Sequence, residues 1–248
     1  MSFKDHFSTQ SAIYRVARPR YAPELFAWLA TQAPGRALAW DAGCGTGQAS
    51  VGLAAEFDRV IATDPSAAQI AQAEAAPNVD YRVERAERST LDDASADLIT
   101  VAQALHWFDL DAFHEEVRRV LRPRGIVAEW TYADCHVTPA VDAVKRTLYV
   151  DVLDAYWPPE RRLVESGYAE LAFPFSRVTA PAFELVAHWD LAAFLAYLRS
   201  WSATQRYIAA TSRDPIDELS AQFAAAWGDA SAVRVVRWDL ALRVGRCG

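Results

Sequence analysis

The strongest constraint on this chain is an apolar run that ends in an acidic residue and leads into alternating glycines. The run covers residues 37–41, and Gly43, Gly45 and Gly47 follow at every second position. Glycine is needed where φ becomes positive or where a ligand touches the main chain. Residues 48–57 have helical character, and the first N–H groups of a helix need an acceptor. The pattern therefore predicts a buried strand, a tight turn and a helix start arranged around a ligand.

A second acidic residue supports this interpretation. The apolar residues 60–63 end in Asp64, which lies one βα unit after the glycines. An acidic side chain about twenty residues beyond such a turn binds ribose hydroxyls in nucleotide-binding folds. The two features together predict a nucleoside site.

The glycine spacing separates two kinds of nucleoside ligand. Dinucleotide-binding turns have the pattern G-x-G-x-x-G, whereas this turn has Asp-x-Gly-x-Gly-x-Gly from Asp41 to Gly47. A carboxylate at Asp41 would repel a pyrophosphate and would suit a cationic amino-acid ligand. In these residues the chain resembles a class I S-adenosylmethionine (SAM) methyltransferase of the small-molecule type. The resemblance implies SAM as cofactor and S-adenosylhomocysteine as product. The predicted cofactor contacts in this region are Asp41, Gly43, Gly45, Gly47, Asp64 and Pro65.

Composition limits the remaining classes of protein. A chain of 248 residues with 52% apolar residues can bury one sizeable core, so we expect a single domain over residues 1–248. The net charge of −7, with no run of lysine or arginine, argues against a nucleic-acid substrate. Three cysteines at unrelated spacings indicate no metal site. No apolar stretch has membrane-spanning length and no secretory signal is evident, so a cytoplasmic monomer or homodimer is expected.

The N-terminal segment is rich in aromatic residues and arginines. Its sequence resembles the cap of one methyltransferase subgroup, with Tyr14, Arg18 and Tyr21 at the matching positions and Ala22 where that subgroup has proline. The resemblance implies a cap over residues 1–23 that folds over SAM and the substrate. The alternative is that these residues are surface arginines and core aromatics.

Two further segments follow later strands. After residues 79–83, the resemblance implies that the Ala86 backbone or Glu87 meets the adenine edge, although Glu87 could be a solvated loop charge. After residues 97–102 comes Gln103-Ala-Leu-His106-Trp107-Phe108. Because ligands of open parallel sheets bind at the carboxyl ends of strands, Gln103 and His106 are predicted to lie beside the reactive methyl.

The sequence of residues 102–108 resembles that of methyltransferases of the type 11 group. Within this group it resembles the trans-aconitate and cantharidin methyltransferase-like subgroup, and this resemblance implies a role in secondary metabolism. DNA amino-methyltransferases have Asn- or Asp-Pro-Pro-Tyr there, and this chain does not. A single histidine beside a tryptophan is more often a packed core residue. His106, with an ordinary pKa near 6.5, and Tyr14 or Tyr132 are the candidate general bases. The predicted substrate contacts are Trp107, Trp130, Tyr132, Trp157, Trp201, Arg206 and Tyr207.

The predicted architecture is a Rossmann-like α/β fold with about seven mostly parallel strands and helices on both faces. The resemblance implies that the last strand is antiparallel. Helices are expected at 65–75, 111–121, 141–156, 191–197 and 216–226. Later strands are expected at 126–132, 183–188 and 232–244. Residues 133–181 are predicted to form a helical substrate lid, since segments above the strand ends carry specificity.

Three functions compete on this fold. The first is methyl transfer to a small, acidic or aromatic molecule. A nicotinamide-dependent reductase is disfavoured by the glycine spacing and by the lack of a Tyr-x-x-x-Lys pair. A SAM-binding regulator or scaffold without turnover remains open, because SAM binding and catalysis use the same residues.

Overall fold

Seven of the strands pair into one sheet in the computed structural model, which describes residues 19–247. The strands are β1 Leu38–Ala42, β2 Arg59–Asp64, β3 Val79–Val83, β4 Ala96–Ala102, β5 Leu121–Thr131, β6 Ser176–Val178, β7 Glu184–Trp189, β8 Arg234–Asp239 and β9 Ala241–Arg246. The large sheet has the order β3-β2-β1-β4-β5-β9-β6, and β7 pairs with β8 in a separate two-stranded sheet.

Strands β1 to β5 are parallel, and β9 runs antiparallel between β5 and β6. The chain passes from β1 outward to β3 and then returns to place β4 against the other side of β1. The strand order therefore reverses between β1 and β4. Ligands of such sheets bind at this reversal, beyond the carboxyl ends of the strands. The predicted seven-stranded fold with an antiparallel strand is confirmed.

Helices cover both faces of the large sheet. They are α1 Pro23–Gln32, α2 Gln48–Ala54, α3 Ala67–Ile70, α4 Leu110–Val120, α5 Pro139–Arg146, α6 Arg161–Glu165, α7 Leu191–Arg199, α8 Ser202–Thr211 and α9 Pro215–Trp227. Alternate strand residues serve different cores: Ala39 packs in the cluster of α1 and α2, whereas Trp40 packs in the cluster of α4. This two-sided burial explains why the central strands are continuous apolar runs.

Helix α4 follows its sequence pattern closely. Asp109 caps it by accepting a hydrogen bond from the Ala112 N–H, and Phe113 and Val117 are fully buried. Arg118 and Arg119 lie in its last turn, where a cation interacts favourably with the helix dipole.

Several predicted elements differ from the structure. The helix expected at 65–75 is only Ala67–Ile70, because the Glu74 N–H turns to the Thr46 carbonyl beside the glycine turn. The helix expected at 141–156 ends at Arg146 and continues as a π-helical turn over Thr147–Val152. Pro158 then holds the preceding residue extended.

The strand expected at 232–244 is two strands. β8 pairs with β7 in the small sheet, and β9 joins the large sheet directly after Leu240, whose N–H donates to the Phe183 carbonyl. Large apolar residues recur at every second position from β8 into β9, so the sequence pattern alone does not reveal that the chain passes from one sheet to the other. Helix α8 was not predicted. No helix within residues 19–247 combines the length and apolar character needed to cross a membrane.

Candidate functional site

The glycine turn after β1 is held against the end of β2. The N–H groups of Gly43 and Cys44 both donate to the Thr63 carbonyl, at 2.8 and 3.0 Å. Gly43, Gly45 and Gly47 have φ values of +70°, +57° and +84°. The positive φ inferred from the spacing is therefore present at all three glycines.

Only the middle glycine of the turn presents open backbone. A Cβ on Gly43 would lie 2.6 Å from the Ala104 Cβ, and one on Gly47 would lie 2.1 Å from the Tyr81 hydroxyl oxygen. A Cβ on Gly45 would meet nothing closer than the Gln69 Oε1 at 4.0 Å. Gly45 is thus the position where a ligand can approach the main chain of the turn.

Asp64 lies next to this open backbone. Its Oδ2 accepts a hydrogen bond from the Gly45 N–H at 2.9 Å, and its Oδ1 accepts one from the Ser66 N–H at 2.8 Å. The carboxylate therefore supports the turn as well as lying beside it. Pro65 follows directly and is partly buried.

Asp41 lies behind the glycine turn and is fully buried. Its carboxylate accepts hydrogen bonds from the Ser50 hydroxyl at 2.6 Å and from the Thr100 hydroxyl at 2.9 Å. Burial raises the pKa of Asp41 to about 6, against the lowering effect of the two hydroxyls. Asp41 therefore joins β1 to α2 and β4 and holds the start of the glycine turn in place.

The loop after β3 also makes structural contacts. Ala86 is buried in the core beside α4. Glu87 accepts a hydrogen bond from the Asp109 N–H at 3.1 Å and lies 3.2 Å from the Arg85 guanidinium. Glu87 is therefore bound to its neighbours and is not a solvated charge.

Gln103 connects the ends of β4 and β5. It has a positive φ of +60°. Its amide nitrogen donates to the Tyr132 carbonyl at 2.8 Å, and its amide oxygen accepts a hydrogen bond from the Thr131 hydroxyl. This contact fixes the segment that carries His106 against the neighbouring strand.

His106 lies in a short 3₁₀ turn, and its Nδ1 is 2.8 Å from the Tyr168 hydroxyl oxygen. Burial and then the positive charge of Arg161 lower the pKa of His106 to about 4. The pKa of His106 therefore lies well below its ordinary value near 6.5, and the imidazole is neutral throughout the physiological range. Trp107 stacks at a tilt beside the imidazole, with ring centroids 4.8 Å apart.

The two aromatic residues at the end of β5 belong to an internal cluster. Trp130 is fully buried, 5.6 Å from the Tyr21 ring and 6.5 Å from the Phe26 ring. Tyr132 packs between Tyr21 and Trp238 at 6.4 and 6.5 Å. Trp130 therefore presents no surface to a ligand in this structure. Tyr14 and Arg18 lie outside the described residues, as does most of the cap 1–23.

A second aromatic cluster lies in the segment after β5. Trp157 packs on Tyr149 at 4.6 Å and on Trp201 at 5.6 Å, and the Arg161 guanidinium lies 4.8 Å from its ring centroid. Arg161 also donates from Nε to the Tyr149 hydroxyl at 2.7 Å.

Tyr149, Trp157 and Arg161 of this cluster line a concavity of about 360 Å³ whose walls contain none of the glycine-turn residues. Its lining residues are Tyr149, Asp154, Trp157, Pro158, Pro159, Arg161, Arg162 and Glu165. Arg206 and Tyr207 contact Tyr156 instead. Arg206 donates from Nη1 to the Tyr156 carbonyl at 3.4 Å, and the rings of Tyr207 and Tyr156 have centroids 5.1 Å apart.

Sequence reasoning missed Tyr168, Thr131 and Tyr149. Tyr168 and Thr131 are fully buried at positions distant in sequence from His106. In the local sequence, Gly167 before Tyr168 is the signal that could have indicated an unusual backbone at this position. In the structure both residues have a positive φ.

Comparisons with known proteins show the family of the chain. The family model of a methyltransferase domain matches residues 40–128, which run from the middle of β1 into β5. A Dictyostelium discoideum protein provisionally named as a methyltransferase is 37% identical over 221 residues, covering 88% of this chain and 84% of that protein. A solved structure from Anaeromyxobacter dehalogenans, provisionally named as a type II methyltransferase, is 49% identical with a TM-score of 0.89 and covers 92% of this chain and 97% of that one.

A Saccharomyces cerevisiae protein, provisionally named as an S-adenosylmethionine-dependent methyltransferase, is 32% identical over 133 residues, which are 50% of this chain and 45% of that protein. The matched region contains the glycine turn, the acidic residue that ends β2 and the strand-order reversal beside them. With relatives that match over most of its length, the chain belongs to the class I S-adenosylmethionine-dependent methyltransferases.

Proposed function

We propose that this enzyme transfers the methyl group of SAM to an oxygen, nitrogen or sulfur nucleophile of a small acidic or aromatic molecule. The observation that carries the proposal is the position of Arg161. This arginine packs on Trp157 in the lid concavity and begins helix α6. The Leu163 carbonyl of α6 accepts a hydrogen bond from the N–H of Tyr168, whose hydroxyl contacts His106. The helix that carries a cation and borders flat aromatic surface therefore packs on the hydrogen-bond partner of the residue predicted to adjoin the reactive methyl.

The described residues fit SAM, the cofactor of the family. Gly45 offers unobstructed backbone, and Asp64 places a carboxylate beside it. We propose that Asp64 holds the ribose hydroxyls, because a charge-assisted hydrogen bond is about twice as strong as a neutral one. We further propose cofactor contacts at the positions named from the resemblance. These are Tyr14, Arg18, Tyr21, Asp41, Gly43, Gly45, Gly47, Pro65, Ala86, Glu87, Gln103 and His106.

SAM supplies a sulfonium methyl that is open to in-line displacement. The protein would contribute by positioning the acceptor and excluding water, for which well-oriented groups can supply about 7–11 kcal/mol. Since the imidazole of His106 is neutral at pH 7, it can accept a proton from a hydroxyl, thiol or ring N–H. A weak base of this kind assists a proton transfer that accompanies methyl transfer and does not ionise the acceptor beforehand.

The lid residues would select the acceptor. Trp157 and Tyr149 offer flat surface, and Arg161 can pair with an acidic substituent. Arg161 lines the concavity and Arg206 does not, which makes Arg161 the better candidate. Trp107, Tyr132, Trp201 and Tyr207 remain proposed substrate contacts, as does the lid at 133–181 with the cap at 1–23.

We also propose membership of the trans-aconitate and cantharidin methyltransferase-like subgroup, with a role in secondary metabolism. The support is the segment Ala102-Gln103-Ala-Leu-His106-Trp107-Phe108. A cytoplasmic monomer or homodimer without a nucleic-acid partner is part of the same proposal and is supported by the acidic net charge of −7.

The test is incubation of the purified protein with methyl-labelled SAM and a library of small carboxylic acids, phenols and heteroaromatic acids. We expect label in one acidic aromatic product and release of S-adenosylhomocysteine. Labelling of proteins or nucleic acids alone would contradict the proposal. Tight SAM binding without transfer to any fraction of a cell extract would support the second candidate, a SAM-binding regulator.

A further inference from the structure

The outer edge of β7 presents a row of outward-facing backbone groups. The Leu240 N–H donates to the Phe183 carbonyl, so every second residue from Phe183 onward faces β8 in the ladder. The N–H and C=O groups of Glu184, Val186 and His188 therefore point away from β8. None of these six groups makes a hydrogen bond to any residue within 19–247. The side chains of the same three residues are exposed.

β7 lacks the features that protect most edge strands, which are lysine, proline, a bulge or short length. It has six residues in continuous register with β8, and Glu184–Trp189 contains neither lysine nor proline. The outer strands of the large sheet differ, since β6 has only three residues and β3 carries Asp80 and Arg82, which pair at 2.6 Å. The opposite edge of the small sheet is partly covered, because Arg237 and His136 exchange two backbone hydrogen bonds there. Among the described strands, β7 therefore has the edge most open to another strand.

The face of the small sheet that turns away from the core carries a cluster of apolar side chains. Val186 of β7 and Val235 of β8 lie on this face, and Val233 lies two residues before Val235. These are three of the five large apolar side chains that are exposed within residues 19–247. Apolar side chains that cluster on a surface mark interaction sites, whereas scattered ones do not. The cluster therefore extends the open edge of β7 into a docking surface.

The edge of β7 is complementary to a second copy of itself in one antiparallel register. A two-fold axis through Val186 places this residue opposite its own counterpart and places Glu184 opposite His188 of the second copy. The imidazole can donate a hydrogen bond to the carboxylate in its neutral or its charged form. Within one chain Glu184 lies opposite the like charge of Asp239, with Arg237 2.9 Å away as its cation. The second copy thus supplies Glu184 with a favourable neighbour on its open side.

We propose that two copies of this chain pair through β7 in this register and form a four-stranded antiparallel sheet of order β8-β7-β7-β8. Glu184, Val186 and His188 of the two copies would form six backbone hydrogen bonds, two in each of three residue pairs. The same patch serves both copies, as in most symmetric dimers. This inference selects the homodimer from the two states proposed above, and it does not rest on methyl transfer.

The oligomeric state of the whole protein is the first test. Contact through one strand edge is small compared with that of permanent dimers, so the dimer should form reversibly. Sedimentation velocity between about 5 and 500 μM should show an average mass that rises from one copy toward two. A monomer at every concentration would overturn the proposal.

A proline variant tests the strand edge. Val186→Pro removes the N–H at the two-fold axis and leaves the ladder to β8 intact, because that N–H points outward. It should raise the Kd for dimerisation at least about tenfold, since two hydrogen bonds are lost and two proline rings meet at the axis. The matched control is Val235→Pro, which changes the same residue type on the same face but on β8. It should leave the Kd unchanged, and equal weakening in both variants would overturn the proposal.

Charge variants test the register. His188→Glu places two carboxylates opposite each other in both outer residue pairs, so it should weaken dimerisation several-fold. Glu184→Lys/His188→Glu restores opposite charges in both pairs and should recover a Kd close to that of the wild type. A double variant that dimerises no more tightly than His188→Glu would contradict this register and with it the proposal.

Hydrogen exchange locates the contact without any variant. The amides of Glu184, Val186 and His188 should exchange several-fold more slowly at the highest protein concentration than at the lowest, because pairing protects them from water. A dimer that leaves these amides unprotected would overturn the proposal. A failure to find methyl transfer would instead count against the proposed function and leave the dimer result standing.

Discussion

Arg243 and Glu129 lie directly opposite each other on β9 and β5, and their side chains form a buried ion pair with Nη2 2.6 Å from Oε2. The other guanidinium nitrogen, Nη1, donates to the carbonyls of Tyr168 and Leu171 at 2.7 and 2.8 Å. The pair therefore joins the antiparallel strand of the large sheet to the segment that carries the hydroxyl partner of His106.

Arg243→Met should destabilise the protein by about 3–5 kcal/mol, because it leaves the buried carboxylate of Glu129 uncompensated. The double variant Glu129→Gln/Arg243→Met should lose less than the sum of the single variants, with a coupling of about 0.5–3 kcal/mol. Urea unfolding of the four proteins measures both quantities. Additive losses would show that the two side chains do not depend on each other.

Gly45→Ala should abolish measurable SAM binding while the protein stays folded. The new methyl would occupy the open face of the glycine turn, and the positive φ would cost about 1–2 kcal/mol of stability. Gly228→Ala is the control, since Gly228 also has a positive φ and open space but lies at the end of α9. Calorimetric titration with SAM should find unchanged affinity in the control. Unchanged affinity in Gly45→Ala would make the turn a structural feature only.

Asp64→Asn should weaken SAM binding at least tenfold, since a hydrogen bond to a charged group contributes about 1.5–3 kcal/mol. The asparagine oxygen can still accept one of the two amides, from Gly45 or Ser66, that the aspartate now holds. We therefore expect a modest loss of thermal stability, and a larger one for Asp64→Ala. Titration with SAM, and with adenine as a ligand that lacks the ribose, separates the causes. Equal weakening for both ligands would indicate damage to the turn and not a lost ribose contact.

Asp41→Asn tests the raised pKa of the buried carboxyl. A carboxyl whose folded pKa is above its unfolded value stabilises the protein most fully below the unfolded pKa, near 4, and loses that contribution as pH rises to about 6. Asparagine does not titrate. The variant should therefore gain up to about 3 kcal/mol relative to the wild type between pH 4 and pH 7, at 1.36 kcal/mol per pKa unit.

Chemical unfolding of wild type and Asp41→Asn across this range measures the difference. The contributions of all other titratable groups to the pH dependence of stability cancel in this comparison, as long as the contacts to Ser50 and Thr100 remain. A difference that does not change with pH would mean that Asp41 titrates alike in both states.

His106→Ala should lower turnover by about 10²-fold, the lower end of the range for a general base, because the imidazole is a weak base. The rate of the wild type should be flat from pH 7 to 9, and the fall caused by protonation of His106 should be centred near pH 4, below the titration of Asp41 near pH 6. Initial rates with the identified acceptor measure both effects. A loss of less than tenfold would indicate that His106 only positions an acceptor that is already ionised.

The local sequence was sufficient to predict the glycine turn and the position of Asp64 beside it. Alternating glycines, the acidic ends of β1 and β2 and the apolar runs predicted the turn, the position of Asp64 and the parallel sheet. These features follow from short-range rules, since φ, strand burial and the position of a strand end depend on neighbouring residues. Short-range rules cannot predict the pKa of His106, because this pKa depends on burial and on the charge of Arg161, which is distant in sequence.

By itself the sequence determined the α/β fold, the glycine turn and the family of the cofactor, because each is encoded in contiguous residues. The tertiary structure alone decided that Trp130 is core, that residues 232–244 divide between two sheets, and that the helix beginning at Arg161 packs on the segment of Tyr168. It also decided the hydrogen-bond partner of His106, because Tyr168 comes from a distant segment. The two polar atoms meet only when the segment after β4 and the segment after α6 have packed, and burial then forces each of them to find a partner.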